Sequence, residues 1–118
     1  MKNIKRKIKS KIESFIYGEA SFIAHIRATK ALIKFCEEHK FDLIYFTNVK
    51  DCLNFLEKGE VTNAYEAFKQ IPSGKEGFGE WWPPAVYPNE TGEYAWAVFE
   101  ALYERWCRLM EHLSIDIQ

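Results

Sequence analysis

At 118 residues, 47% hydrophobic and 16% aromatic, the chain carries enough apolar surface for one core and excludes a disordered body. It has no run near the roughly 18 apolar residues of a membrane span, and no apolar signal core follows its N-terminal lysines. The net charge of −1 hides an uneven distribution: six of the 16 basic residues (Lys2, Lys5, Arg6, Lys7, Lys9 and Lys11) lie within residues 1–11, which hold no acid, leaving ten against all 17 acidic groups, a balance of −7.

Along residues 1–17, Ile4, Ile8, Ile12 and Phe15 form one stripe of a basic amphipathic helix or arm, with Gly18 as its stop. It reads as a first bundle helix with a solvated lysine face, or as a contact for anionic lipid or nucleic acid. Ser21 is placed to cap the next helix, whose stripe is Phe22, Ile26, Thr29, Ile33 and Cys36. His25 falls on that apolar arc without a second ligand at helical spacing, so it reads as a hydrogen-bonded histidine at the core edge. Phe46, Val49, Leu53 and Leu56 give a third helix, with Asp42 or Asn48 as cap and Gly59 as terminator. A short helix follows with Val61, Ala64, Tyr65 and Phe68 inward, closed by Pro72.

Residues 73–89 form a loop longer than most ordered connections, yet Phe78, Trp81, Trp82, Val86 and Tyr87 carry too much apolar area to sit free in water. Pro83 and Pro84 predict an extended stretch from Trp82. Asn89 or Thr91 caps a last helix over 90–114, with Glu90 and Glu93 at its positive end. Ala95, Phe99, Leu102, Trp106, Leu109 and Leu113 repeat at intervals of three and four, the widest apolar face in the chain. The pattern predicts a single all-α domain over 1–118, a bundle of four to five helices around this last one.

Catalytic motifs are missing. Ser73-Gly74-Lys75 resembles a phosphate loop, but Glu76 stands where the magnesium-binding hydroxyl belongs. Gly77 and Gly79 lack the third glycine of a dinucleotide site. There is no nucleophile elbow and no zinc-protease or di-iron helix pair. His112 and Glu111 diverge by about 100° on a helix. Cys36, Cys52 and Cys107 form no close pair and read as reduced thiols. Glu80, beside two tryptophans, is an acid whose pKa would rise against apolar rings, although a lone acid is more often solvated. No catalytic, cofactor or metal residue is assigned.

The residues Ile71-Pro72, Gly77-Phe78, Trp81-Trp82-Pro83-Pro84, Tyr87-Pro88-Asn89-Glu90, Glu93-Tyr94, the run from Trp96 to Leu102 and Glu104-Arg105-Trp106 resemble a family of small uncharacterised bacterial proteins, a domain of unknown function. The resemblance covers residues 71–110 and implies a bacterial, cytoplasmic setting with no known activity, cofactor or catalytic residue.

The expected function is a non-catalytic protein-interaction module, of the kind that neutralises a toxin. Its acidic body would dock an unknown, basic protein partner. Phe78, Glu80, Trp81, Trp82 and Tyr87 are the candidate contacts, unless the same rings close the end of the core. A homodimer is compatible with the sequence, and nucleic-acid stacking is disfavoured by the lack of basic residues among the rings. The alternative is a peripheral module binding lipid or nucleic acid through Lys2, Lys5, Arg6, Lys7, Lys9 and Lys11. An enzyme acting near Glu80 ranks third.

Overall fold

A computed structural model describes residues 22–41, 44–71 and 78–117, with side chains to Ser114. These residues form four α-helices and no strand: α1 (Ile23–Glu38), α2 (Phe46–Glu57), α3 (Val61–Lys69) and α4 (Gly92–Ile117), with a 3-10 turn at Phe78–Glu80. The all-α expectation holds. The expected helix over 1–17, the Ser21 and Asp42 caps and the Pro72 stop lie outside the described residues.

The helices close a circuit around one core. Helix α1 packs on α2 and α4, α2 on α3, and α3 on α4. Helices α2 to α4 bury part of each expected stripe: Val49 and Leu56 on α2, Ala64 on α3, and Ala95, Phe99, Trp106 and Leu113 on α4. Phe46, Leu53, Val61, Tyr65, Phe68, Leu102 and Leu109 are half-buried, while Cys52 and Met110 are buried beside the stripes. On α1 the buried arc is turned from the expected one. Leu32 and Phe35 are inside, while Ile33 is half-buried. His25 is half-buried with its ring edge-on to Phe22 at 5.9 Å.

One polar chain crosses this core. The Thr29 hydroxyl donates to the His25 carbonyl at 2.6 Å and accepts the Trp106 indole N–H at 2.9 Å, joining α1 to α4. Both side chains are fully buried, and burial is tolerable because every polar atom of the pair is bonded.

Two of the helices end in the same hydrogen-bonded motif. After α2, Gly59 takes φ 75°, its N–H reaches the Leu56 carbonyl, and Glu60 N–H reaches Phe55. After α1, Lys40 takes φ 60°, Lys40 N–H reaches Glu37, and Phe41 N–H reaches Cys36 at 2.8 Å. That reversal sends Phe41 back into the core and leaves His39 buried at the end of α1.

The helix starts depart more from expectation. Neither Phe22 before α1 nor Tyr45 before α2 makes a side-chain cap. Asn48 lies inside α2, and its amide donates across to Ala67 of α3 at 3.4 Å. Thr91 does cap α4, accepting Tyr94 N–H at 3.1 Å. Glu93 sits in the first turn of α4 as expected, but Glu90 turns away to other partners.

Candidate functional site

The segment from Phe78 to Thr91 is divided between core and surface. Phe78 is fully buried, with Phe41, Tyr103 and Phe99 rings at 4.7, 5.1 and 5.4 Å. Gly79 lets this turn press on α4, because a Cβ there would stand 2.8 Å from Tyr103 Cε1. Trp81 is half-buried and meets Phe41 and Phe99 edge-on at 4.7 and 5.1 Å. Phe78 therefore has no surface to offer a partner, and Trp81 offers little; both close the core.

Trp82 goes the other way. It is 58% exposed and stacked on half-buried Trp96 of α4, with ring centroids 5.2 Å apart and planes at 17°. Its indole lies over the start of α4, where a Cβ on Gly92 would make ordinary contact with Nε1 at 3.5 Å. Buried Pro83 anchors the backbone beside it. Val86, Tyr87 and, on α4, Tyr94 are exposed as well. Between Phe78 and Glu100 the chain holds Glu80, Glu90, Glu93 and Glu100 and no lysine or arginine.

A network running from buried His39 to exposed Tyr87 holds the far end of this segment. His39, stacked on Phe35 at 3.9 Å, places Nδ1 2.9 Å from the Phe35 carbonyl and Nε2 2.8 Å from Glu90 Oε1. Glu90 Oε2 accepts the backbone N–H of Val86 at 2.9 Å and of Tyr87 at 3.4 Å. The Val86 N–H is the largest influence lowering the Glu90 pKa, with His39 and the Tyr87 N–H acting the same way against partial desolvation. The Tyr87 hydroxyl donates to Glu38 Oε2 at 2.8 Å, and that bond chiefly raises the phenol's pKa.

This arrangement is unsuited to general acid–base catalysis. Both nitrogens of His39 are engaged and the ring is 2% exposed, so no substrate atom can reach it. Glu80 is exposed in the 3-10 turn rather than enclosed by rings, the solvated position that a lone acid more often takes. Among the described residues no cluster of three or more His, Cys, Asp or Glu could hold a metal. Along the outer side of α4, Ala101, Glu104, Arg105, Arg108, Leu109 and His112 line a shallow groove of mixed charge without converging chemistry. Lys2, Lys5, Arg6, Lys7, Lys9 and Lys11 lie outside the described residues.

Trp96 and His39 were the residues hardest to find from sequence. Trp96 reads as the edge of a core stripe, and its partner is 14 positions away across a loop. His39 offers one signal, a basic group at a helix C-terminus, but nothing in the sequence links it to Glu90 51 positions on. Comparison of the chain with protein-family models, curated proteins and solved structures gives no match. Among the described residues no helix is long and apolar enough to cross a membrane.

Proposed function

We propose that this protein is a non-catalytic interaction module of the bacterial cytoplasm that captures a basic protein partner on the Trp82–Trp96 face. The observation that carries the reading is an indole left 58% exposed, yet stacked and anchored, within a stretch rich in glutamate and free of lysine and arginine. Tryptophan is prominent among residues that dominate binding energy. A lysine or arginine of the partner gains from a cation–π contact with the indole, and the acidic surround raises its rate of encounter. The same glutamates set two copies of this chain against each other, so a homodimer through this face is disfavoured. Neutralisation of a basic toxin is the biological role that this chemistry fits.

The test begins with affinity capture at low and high salt, followed by calorimetric titration of the identified, purified partner. A basic protein is expected, bound more weakly at high salt. Trp82→Ala is expected to weaken it by about thirtyfold, a hot-spot loss of roughly 2 kcal/mol. Because Trp82 is largely exposed, its thermal midpoint stays near that of the unaltered chain, whereas Trp81→Ala lowers it. Equal affinity for Trp82→Ala, or recovery of nucleic acid or lipid in place of a protein, overturns the proposal.

A further inference from the structure

The ring of His39 is enclosed, and each of its nitrogens faces an oxygen: the Phe35 carbonyl at Nδ1 and Glu90 Oε1 at Nε2. A carbonyl oxygen only accepts, so Nδ1 must carry a proton. An ionised carboxylate also only accepts, so the contact at Nε2 is complete only when that nitrogen carries one as well. The imidazolium satisfies both contacts, and the proton between Nε2 and Oε1 ties the end of α1 to the turn at 86–90. Glu90 passes that tie on to the backbone, because its second oxygen receives Val86 and Tyr87 N–H while its own N–H reaches the Tyr87 carbonyl at 3.0 Å.

We infer that His39 and Glu90 form a proton-dependent clasp that sets the conformation of residues 82–90, closed at intermediate pH and released on either side. On the alkaline side the ring gives up its Nε2 proton, and two acceptors then stand 2.8 Å apart away from water, where their repulsion is poorly screened. On the acid side Glu90 takes a proton; the imidazolium loses its counter-charge and the two backbone N–H groups lose a charged acceptor. The neighbouring charges are few. Helix α1 supplies Glu38, held by Tyr87 and 3.9 Å from Lys34, and exposed Lys40 follows it. The 81–91 segment supplies Tyr87 and Glu90, and the first turn of α4 adds exposed Glu93. Among the described residues the ion-pair partner of Glu90 is His39. The clasp does not depend on partner capture, and either can fail without the other.

Nitrogen-15 NMR of the full chain tests it. With both ring nitrogens of His39 protonated, the Val86 and Tyr87 amide resonances are expected to be displaced downfield. Raising the pH moves the ring and both amides through one transition with a common midpoint, and the Trp82 indole resonance follows. In Glu90→Gln the ring still titrates but the amides no longer move with it. In Tyr87→Phe, which removes only the Glu38 bond, the common transition persists. The clasp is overturned by amides that stay fixed while the ring titrates, by a transition unchanged in Glu90→Gln, or by its loss in Tyr87→Phe. Should Glu90→Gln fail to fold by circular dichroism, co-titration in the unaltered chain decides the matter.

Discussion

The same rule governs Thr29 and His39: a polar atom taken out of water needs a partner, and its partner fixes where two elements meet. Thr29 is the cleaner case, because its hydroxyl uses its donor on His25 and an acceptor site on Trp106. Thr29→Val keeps the side chain's shape and removes both bonds, stranding a buried indole N–H. The expected loss is about 1–3 kcal/mol, read from urea unfolding midpoints. Thr29→Ser keeps the hydroxyl and should cost only the methyl group, about 0.8 kcal/mol. A double variant with Trp106→Phe should lose less than the two single changes summed, since the first removes the acceptor that the second no longer needs. The inward position of Thr29 is legible in the sequence as part of a helical stripe. Its partner is 77 positions away, and no local pattern reaches that far.

At the scale of elements, two identical helix endings are written in different residues. Gly59 announces its ending, because glycine enters the left-handed region without steric cost. Lys40 reaches φ 60° with a Cβ, against a cost of roughly 1–2 kcal/mol, and its sequence gives no warning. Lys40→Gly is therefore expected to stabilise the chain by roughly 1 kcal/mol, net of glycine's greater freedom when unfolded, with Gly59→Ala opposite in sign. Thermal unfolding of the two variants checks this, and a loss in Lys40→Gly would mean that the lysine side chain contributes more than its backbone strain costs. The aromatic loop shows a similar mixture of legible and hidden. From Phe78 onward its order follows from its apolar content, and its extended form from Pro83 and Pro84. In an extended chain successive side chains point to opposite sides. Trp81 and Pro83 accordingly face inward, and Trp82 and Pro84 outward. Sequence supplies that alternation but not its phase, which is fixed by Phe78 entering a pocket made by Phe41 after α1 and by Phe99 and Tyr103 of α4. The candidate face was thus readable as a stretch, and its members only from the packing.

For the molecule as a whole, buried ionisable groups set the outer limits of stability. Desolvation chiefly raises the thiols of Cys36 and Cys52 from 9.0 to about 12, and Cys107 to about 11; it raises the Tyr103 phenol as well. A thiol raised on folding leaves stability intact below pH 9.0, where both folded and unfolded chains keep the proton. As pH climbs toward about 12 the unfolded chain ionises first, and stability falls. Glu90 works in the other direction. Its pKa is lowered from 4.5 on folding, so its contribution is present above pH 4.5 and lost as pH falls through the folded value. Far-UV circular dichroism should stay flat while the clasp opens, which separates a local rearrangement of residues 82–90 from unfolding. The alkaline limb is the sharper test. Each buried thiol steepens the loss by up to about 1.4 kcal/mol per pH unit, so Cys36 and Cys52 together contribute nearly twice that. A Cys36→Ala, Cys52→Ala variant begins less stable at neutral pH, because two small cavities replace two sulfur atoms. Its stability should then decline more gently above pH 9.0, so that the two urea-derived stability curves converge as pH rises. Parallel curves would mean that these two thiols are not what limits the folded chain in alkali, and would transfer that limb to the Cys107 thiol and the Tyr103 phenol.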